Sequence, residues 1–406
     1  MVYRPERMKF GIFIAPFHRI GENPTLALKR DLGLVEYLDE LDYDEAWWGE
    51  HHSYGRELIG DPVLMMAAAS RTTRRIKLGT GVLSLAYHHP LMVADRMVQI
   101  DHMTQGRAMF GCGPGALSSD AYMMGIPAED LRRRMGQALD AIMPLLRGET
   151  VTMKTDWFEL RDARLQLASY SRPHLPVSVA ATYTPSGPVM AGKYGVGLMS
   201  IAGIDNAQFD QTWGWAEESA AKHDKTIHRA DWKVAMTMHV AQSRKEALAE
   251  IQQGYDDRAY SGDAKDPRAA KGALFSNAGT LAEQAERGAA LIGSPDDVAA
   301  AIERILERTG GFGTLLSLAH EWASTEATRR SYELFARYVM PRFQGQLGPI
   351  ESNRDWIEGS LREVFSNTPA AMERAYADAG KPLPAAMEEA KRRREDRSAS
   401  NAGKAS

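Results

Sequence analysis

Short apolar segments of strand length alternate with helix-length patterns eight times along the chain, and no other feature constrains the fold as strongly. The strand-like segments are Lys9–Ala15, Glu45–Gly49, Ile76–Leu83, Arg107–Gly113, Val177–Ala181, Gly197–Ser200, Trp232–Val240 and Phe312–Leu318. Helical patterns follow them over Pro24–Leu41, Asp61–Arg71, Pro90–Met103, Glu129–Leu146, Thr184–Tyr194, Asn206–His223, Ser243–Gln253 and Thr325–Tyr338. Asn23 is a plausible cap of the first helix, and Pro90 takes the favoured first position of the third. Strands separated by helices pair in parallel, so the expected fold is α/β, a (β/α)8 TIM barrel. The chain has 406 residues. A barrel of this kind uses about 250 or more as one unit.

Several segments fall outside the repeat. Val151–Leu167 has the pattern of an inserted hairpin. Residues 256–293 are rich in Gly, Ala, Asp, Lys and Ser, the composition of a lid or loop without structure of its own. The expected division is a catalytic barrel over 1–343 with this lid inside it, a helical extension over 344–380, and a charged, disordered tail over 381–406. The tail carries the basic cluster Lys391–Arg394.

Composition excludes several classes. The formal charge is −4, which argues against a general nucleic-acid surface. Cys112 is the only cysteine, so no intramolecular disulfide and no cysteine-based zinc site can form. No apolar run is long enough to span a membrane, and the N-terminal segment reads as a strand and not as a signal peptide. A cytoplasmic protein is expected.

In a barrel the functional groups gather past the carboxyl ends of the strands. Five of the 11 histidines lie there: His18 after the first strand, His51 and His52 after the second, His88 and His89 after the third. Histidine suits hydrogen bonding, acid–base work or metal binding near neutral pH. A metal centre is disfavoured, because Thr182, Tyr183, Ser200 and Val240 end the later strands and offer no ligand-type His or Asp. Gly111, Gly113 and Gly115 past the fourth strand let backbone approach a flat or charged ligand. Thr182, Thr184 and Ser186 lead into a helix and form a turn suited to an anion, although simple capping explains the same residues. Met65, Met66, Met92, Met97, Met103, Met123 and Met124 suit an adaptable apolar interior.

The segments MKFGIF, AWWGEHH, IKLGTGV and HHPLMVADRMVQIDHMTQGRAMFGCGPG resemble the bacterial-luciferase-like flavin-dependent oxidoreductases over about residues 8–340. Asp101-His102-Met103-Thr104-Gln105-Gly106-Arg107 resembles the Asp-x-(Leu/Met)-Ser-x-Gly-Arg pattern of that family. Within it, FGIFIAPFH, YDEAWWGEHHS and GPGALSSDAYMMGI resemble the limonene monooxygenase group.

The resemblance implies a TIM barrel that uses reduced FMN and molecular oxygen, with FAD and F420 as the alternative cofactors. A separate reductase would draw on NAD(P)H and supply the reduced flavin. It implies that His51 lies beside the flavin ring, oriented by Glu50 and His52. Thr80 would lie near the ring system, and Gly113 and Gly115 along its face. Thr182, with Thr184 or Ser186, would bind the phosphate, helped by Ser200. His18, His88 and Tyr122 are expected at the substrate pocket. Pro114 stands where luciferases have an arginine, and Ala181-Thr182 where they have a Glu-Ser pair, so the phosphate contacts differ. The implied reaction is epoxidation of a monoterpene such as limonene through a C4a-hydroperoxyflavin. Baeyer–Villiger oxidation of a cyclic ketone and F420-dependent hydride transfer are the alternatives. A homo-oligomer, dimer or tetramer, is expected.

Overall fold

The computed structural model describes the chain apart from residues 1, 15–17, 19–20, 54, 56, 183, 202–210, 261–279 and 403–406. It separates into two compact units, Met1–Gly345 and Gln346–Ser406. Strands are numbered along the chain. Eight of them are parallel and close into a barrel: β1 (Lys9–Ile14), β2 (Glu45–Trp48), β3 (Lys77–Thr80), β5 (Ala108–Gly113), β8 (Val177–Ala180), β9 (Gly197–Ile201), β10 (Trp232–Val240) and β12 (Thr314–Leu318). The ring is completed by β9 pairing with β10 and β12 pairing with β1. The expected third strand is broken: β4 (Leu83–Ser84) follows β3 after a turn and pairs with β5. The inserted hairpin is present as antiparallel β6 (Val151–Lys154) and β7 (Glu159–Ala163).

The helices of this unit are α1 (Pro24–Glu40), α2 (Pro62–Ala69), α3 (Pro90–Met103), α4 (Ser118–Met123), α5 (Leu131–Leu146), α6 (Ser186–Tyr194), α7 (Thr212–Lys222), α8 (Arg244–Tyr260), α9 (Leu281–Glu286), α10 (Pro295–Thr309), α11 (Thr325–Tyr338) and α12 (Met340–Phe343). Asn23 does cap α1, its Oδ1 accepting from the N–H groups of Thr25 and Leu26. The start expected for the sixth helix, residues 206–210, lies outside the described residues.

Alternation along each strand sends side chains to two different cores. The outward positions, such as Phe10, Ile12, Phe110 and Val234, pack under the helices. The inward positions form a second cluster of Trp47, Met109, Met199, Ala235 and Leu316, with Phe13, Ile201 and Leu318 above. Trp47 is fully buried, and its register partner on the neighbouring strand β3, Gly79, must be bare to admit the indole. A Cβ on Gly79 would lie 2.4 Å from Trp47 Cε3. Below the ring, Trp47 Nε1 donates to Glu45 Oε2 at 3.0 Å. Lys233 Nζ lies 5.5 Å from the indole centroid and donates to Ser178 Oγ at 3.2 Å. Burial lowers the Lys233 pKa.

Two expectations are corrected. Residues 256–293 are not one structureless insertion: α8 runs on to Tyr260, α9 opens with a capping box at Thr280, and β11 (Leu291–Gly293) pairs with the upper end of β10. Ala247 and Ile251 of α8 bury against Leu281, Ala285 and Ile292, so both flanks carry a small core. The rest of the proposed lid, 261–279, lies outside the described residues. The helix α10 was not anticipated, although Ser294-Pro295-Asp296-Asp297 holds a full capping box and a proline at the first position.

The second unit consists of α13 (Gly348–Val364), α14 (Thr368–Asp378) and α15 (Ala385–Ala402). The tail expected to be disordered is therefore helical as far as Ala402. Its basic cluster is held within the unit, where Glu373 accepts from Lys391 at 3.1 Å and Arg394 at 2.7 Å.

Gly79→Ala tests the barrel interior. The added methyl has no room while Trp47 is walled in, so stability should fall by about 1–3 kcal/mol, the usual cost of overpacking. A urea unfolding curve with an unchanged midpoint would show that the indole can shift aside.

Candidate active site

The chain after β2 carries the densest cluster of titratable groups in the barrel mouth. Glu50 is buried beneath it and joins two histidines. Its Oε1 lies 3.0 Å from His52 Nε2 and 2.5 Å from His88 Nε2, and its Oε2 accepts the Ser84 N–H at 2.5 Å. Burial alone would raise the Glu50 pKa, but the hydrogen bonds from His52, His88 and Ser84 hold it below the ordinary carboxylate value. The same bond to Glu50 raises the His52 pKa against the effect of burial. Arg96 extends the chain, from His88 Nδ1 at 3.3 Å to Asp61 Oδ2 at 3.0 Å.

His51 belongs to a separate cluster. Its Nε2 lies 2.9 Å from Glu57 Oε2, a close charge contact outside hydrogen-bond alignment, and its Nδ1 lies 3.3 Å from Asp120 Oδ2. Asp120 comes from α4. Its Oδ1 also accepts the His52 N–H at 3.1 Å and the Ser53 hydroxyl. Burial opposes charge on His51, yet Asp120 and Glu57 together push its pKa up to about 9. Glu50 and His52 thus do not hold His51 through side-chain bonds, contrary to expectation. The carboxylates that do, Glu57 and Asp120, were missed. Asp120 sits inside the GPGALSSDAYMMGI segment, but nothing in its spacing from His51 shows that α4 turns it back across the mouth.

The other expected site residues divide. The Thr80 hydroxyl is completely buried and bonds the backbone of β5, donating to Gly111 O at 2.6 Å and accepting from Gly111 N at 3.0 Å. Ser200 Oγ accepts from Trp232 Nε1 at 3.0 Å, and its strand neighbours Met199 and Ile201 face the interior, so Ser200 faces the helices. Both hydroxyls are engaged within the chain, to the β5 backbone and to Trp232. A Cβ on Gly113 would meet Val82 Cγ2 at 2.7 Å, and one on Gly115, at φ +99°, would meet Tyr87 Oη at 2.3 Å. The space beside each glycine is thus filled by this chain's own side chains. Tyr122 is 86% exposed on α4. Met92, Met103, Met123 and Met124 are also exposed, and only Met65, Met66 and Met97 of the expected apolar set are buried.

His18 lies in a different place from His51. It is buried, with Nε2 2.9 Å from Asp31 Oδ2. It lines a cavity of about 1100 Å3 at the ends of β1 and β12, and none of His51, His52 and His88 lines it. Stacked His320 and Trp322, with ring centroids 4.4 Å apart, form one wall. Ligand-type atoms of His18, Asp31 and Glu321 come within 4.8 Å of one another. Arg30 is ion-paired with Glu321, so a cation there would have to displace it.

Past β8, Thr184 Oγ1 and Ser186 Oγ lie 2.8 Å apart at the start of α6. No side chain caps that helix, and its first turn holds no acidic residue. Free N–H groups, two hydroxyls and the positive end of a helix dipole suit a phosphate monoester. Tyr87 Oη is buried beside the Gly115 loop with no hydrogen-bond partner, and its ring lies 6.0 Å from that of His52. A phosphate-receptive turn and an unpaired hydroxyl in the mouth fit FMN.

The luciferase-like monooxygenase family model matches residues 8–312. The chain belongs to the luciferase-like monooxygenases. It is 43% identical over 379 residues to limonene 1,2-monooxygenase of Rhodococcus erythropolis, covering 91% of this chain and 95% of that one. It is 44% identical over 366 residues to 4-hydroxyprotoasukamycin monooxygenase of Streptomyces nodosus subsp. asukaensis, covering 88% and 98%. The crystal structure of monooxygenase RslO1 from Streptomyces bottropensis superposes with a TM-score of 0.73 at 27% identity, covering 83% of this chain and all of that one. The oxygenating component of 3,6-diketocamphane monooxygenase from Pseudomonas putida, solved with FMN, shares the fold at a TM-score of 0.71 and 24% identity, covering 83% and 99%. Among the described residues no helix is long and apolar enough to cross a membrane.

Glu50→Gln should cost roughly 1–3 kcal/mol by leaving buried partners imperfectly satisfied. Glu50 has a lowered pKa in the fold, so the stability it gives is present above the ordinary carboxylate value and fades as pH falls through its folded value. His52 is raised, so its share is present below the ordinary histidine value and fades as pH rises through its folded value. Thermal unfolding of both proteins across pH should show the largest gap between these limits. A constant gap would mean the charge on Glu50 is not what holds the histidines.

Proposed function

We propose that this luciferase-like monooxygenase uses reduced FMN, delivered by a separate NAD(P)H-dependent flavin reductase, and molecular oxygen to insert one oxygen atom into a small apolar alkene, with limonene epoxidation as the type reaction. The observation that carries the cofactor assignment is the uncapped first turn of α6 with its Thr184–Ser186 hydroxyl pair. Identity of 43% to a limonene monooxygenase over almost the whole chain supports the substrate. Reduced flavin, when bound, supplies the oxygen-activating chemistry. The chain's own part is to hold the phosphate at Thr184 and Ser186, to offer the Tyr87 hydroxyl and the His51 charge in the mouth, and to keep water out.

The cavity beside His18 favours a second reading for the substrate. Charged groups of Arg30, Asp31 and Glu321 line it. A bare hydrocarbon would strip water from them without replacing their hydrogen bonds. A larger guest bearing hydroxyl or amide groups and a ring to lie on Trp322 suits this space better. The 44% identity to a monooxygenase named for 4-hydroxyprotoasukamycin accords with it.

Anaerobic titration of the flavin-free chain with FMN, reduced FMN and F420 tests the cofactor. Reduced FMN should bind most tightly, and preference for F420 would overturn the monooxygenase chemistry. Oxygen uptake with reduced FMN, across limonene, a cyclic ketone and a hydroxylated aromatic amide, tests the substrate. Product gaining one oxygen from limonene is the expected result. Coupled turnover of the amide alone selects the second reading, and a lactone from the ketone selects Baeyer–Villiger oxidation.

A further inference from the structure

Each nitrogen of the His51 ring faces a different carboxylate, at 2.9 Å on the Nε2 side and 3.3 Å on the Nδ1 side. A neutral imidazole has one N–H and one in-plane lone pair. A neutral ring could at most hydrogen-bond Asp120 and would leave the Glu57 carboxylate 2.9 Å from an uncharged nitrogen, whereas the doubly protonated ring sets a positive charge against both carboxylates. The carboxylates have little alternative, since Glu57 and Asp120 are 3% and 1% exposed at their side chains. Two buried anions without a cation between them would be costly, and one would have to take up a proton. Asp120 is further fixed as an anion by the His52 N–H and the Ser53 hydroxyl, and burial is outweighed so that its pKa is lowered. The other titratable groups near the ring among the described residues do not supply this cation. His52 is paired with Glu50, and burial raises the Tyr87 phenol pKa, which keeps it neutral.

We propose that Glu57 and Asp120 are positioning residues that lock His51 as a permanent imidazolium in the barrel mouth, so that His51 acts as a fixed positive charge and not as a proton acceptor. The consequence for the bound cofactor rests on the monooxygenase reading. Because Glu57 and Asp120 together more than neutralise the ring, the cluster adds no net positive charge to the mouth; what it supplies is a ring whose protonation does not change during turnover and which cannot take a proton from the bound cofactor. The protonation state itself rests on the geometry of the chain alone.

Imidazole nitrogen NMR of the flavin-free full chain, labelled at histidine, tests the state directly. His51 should show two protonated nitrogens throughout the neutral range and lose a proton only near pH 9. Glu57→Gln and Asp120→Asn should each lower that midpoint, and in the double variant burial is left unopposed, so the midpoint should fall below the ordinary histidine value of about 6.5. The stability conferred by the charge is fully present below pH 6.5 and is lost as pH rises through about 9. A neutral His51 ring at pH 7 in the unaltered chain overturns the proposal, and this arm needs no variant to fold. With reduced FMN and a turned-over substrate, product formed per oxygen consumed should stay flat across neutral pH. In Asp120→Asn it should fall with the same midpoint that NMR gives for His51. Failure of those two midpoints to coincide would reduce Asp120 to a structural role. Absence of any oxygenation would overturn the monooxygenase reading and leave the NMR result to decide the protonation state.

Discussion

The barrel closes around Trp47. An indole at the centre of a ring of eight strands is too large for a wall that carries side chains on all sides, so the adjacent strand β3 is bare at Gly79, its register partner. The indole then needs a partner for its N–H in a place that water does not reach, and Glu45 supplies it from two residues earlier on the same strand. A buried carboxylate draws in a counter-charge, and Lys233 occupies the floor from the opposite side of the ring. One aromatic residue thus accounts for the bare position at Gly79 and for the polar floor. It also means the barrel is filled, so chemistry has to take place above it, on the loops beyond the strand ends.

Those loops are built around buried carboxylates. Glu50 binds His52 and His88, Asp120 and Glu57 hold His51, and Asp31 holds His18. Each acid leaves water only because a histidine or a backbone N–H meets it, and each histidine is fixed in direction as a result. The mouth is accordingly a set of pre-oriented polar groups. Such a surface can act on a bound cofactor without reorganising, which is where an enclosed site gains most over water.

The residues that carried the family resemblance are mostly structural. The Asp101 carboxylate accepts from the N–H and hydroxyl of Ser171, and Arg107 donates to Thr73 Oγ1 and to the carbonyls of Ile76 and Ser70. These groups, with His102 beside them, tie the loops at the closed end of the barrel, away from the histidines of the mouth. The motif identifies the fold because the fold requires it. The candidate site residues follow from position after the strands, and Glu50, His51, His52 and the Thr184–Ser186 turn do lie just past the ends of β2 and β8.

The sequence by itself determined the eight strand–helix units and which loops face the mouth. Strand and helix periodicity, caps such as Asn23 and prolines such as Pro90 act over a few residues, and the chain order carries them in full. Asn23 and Pro90 ended up where local chemistry placed them. Local rules also hold α10, whose Ser294 capping box is legible in the sequence. Only the tertiary structure decided the partners. Glu57 and Asp120 are 63 positions apart in the chain and meet at one imidazole because α4 folds back over the mouth. Thr80 and Ser200 stand at strand ends, as cofactor contacts would, yet β5 and Trp232 take up their hydroxyls. His18 and His51 follow neighbouring strands and still occupy separate clusters. A side chain's direction and its partner depend on strand twist, on helix placement and on which buried acid lacks a donor, and none of these is a property of the residues near it in sequence.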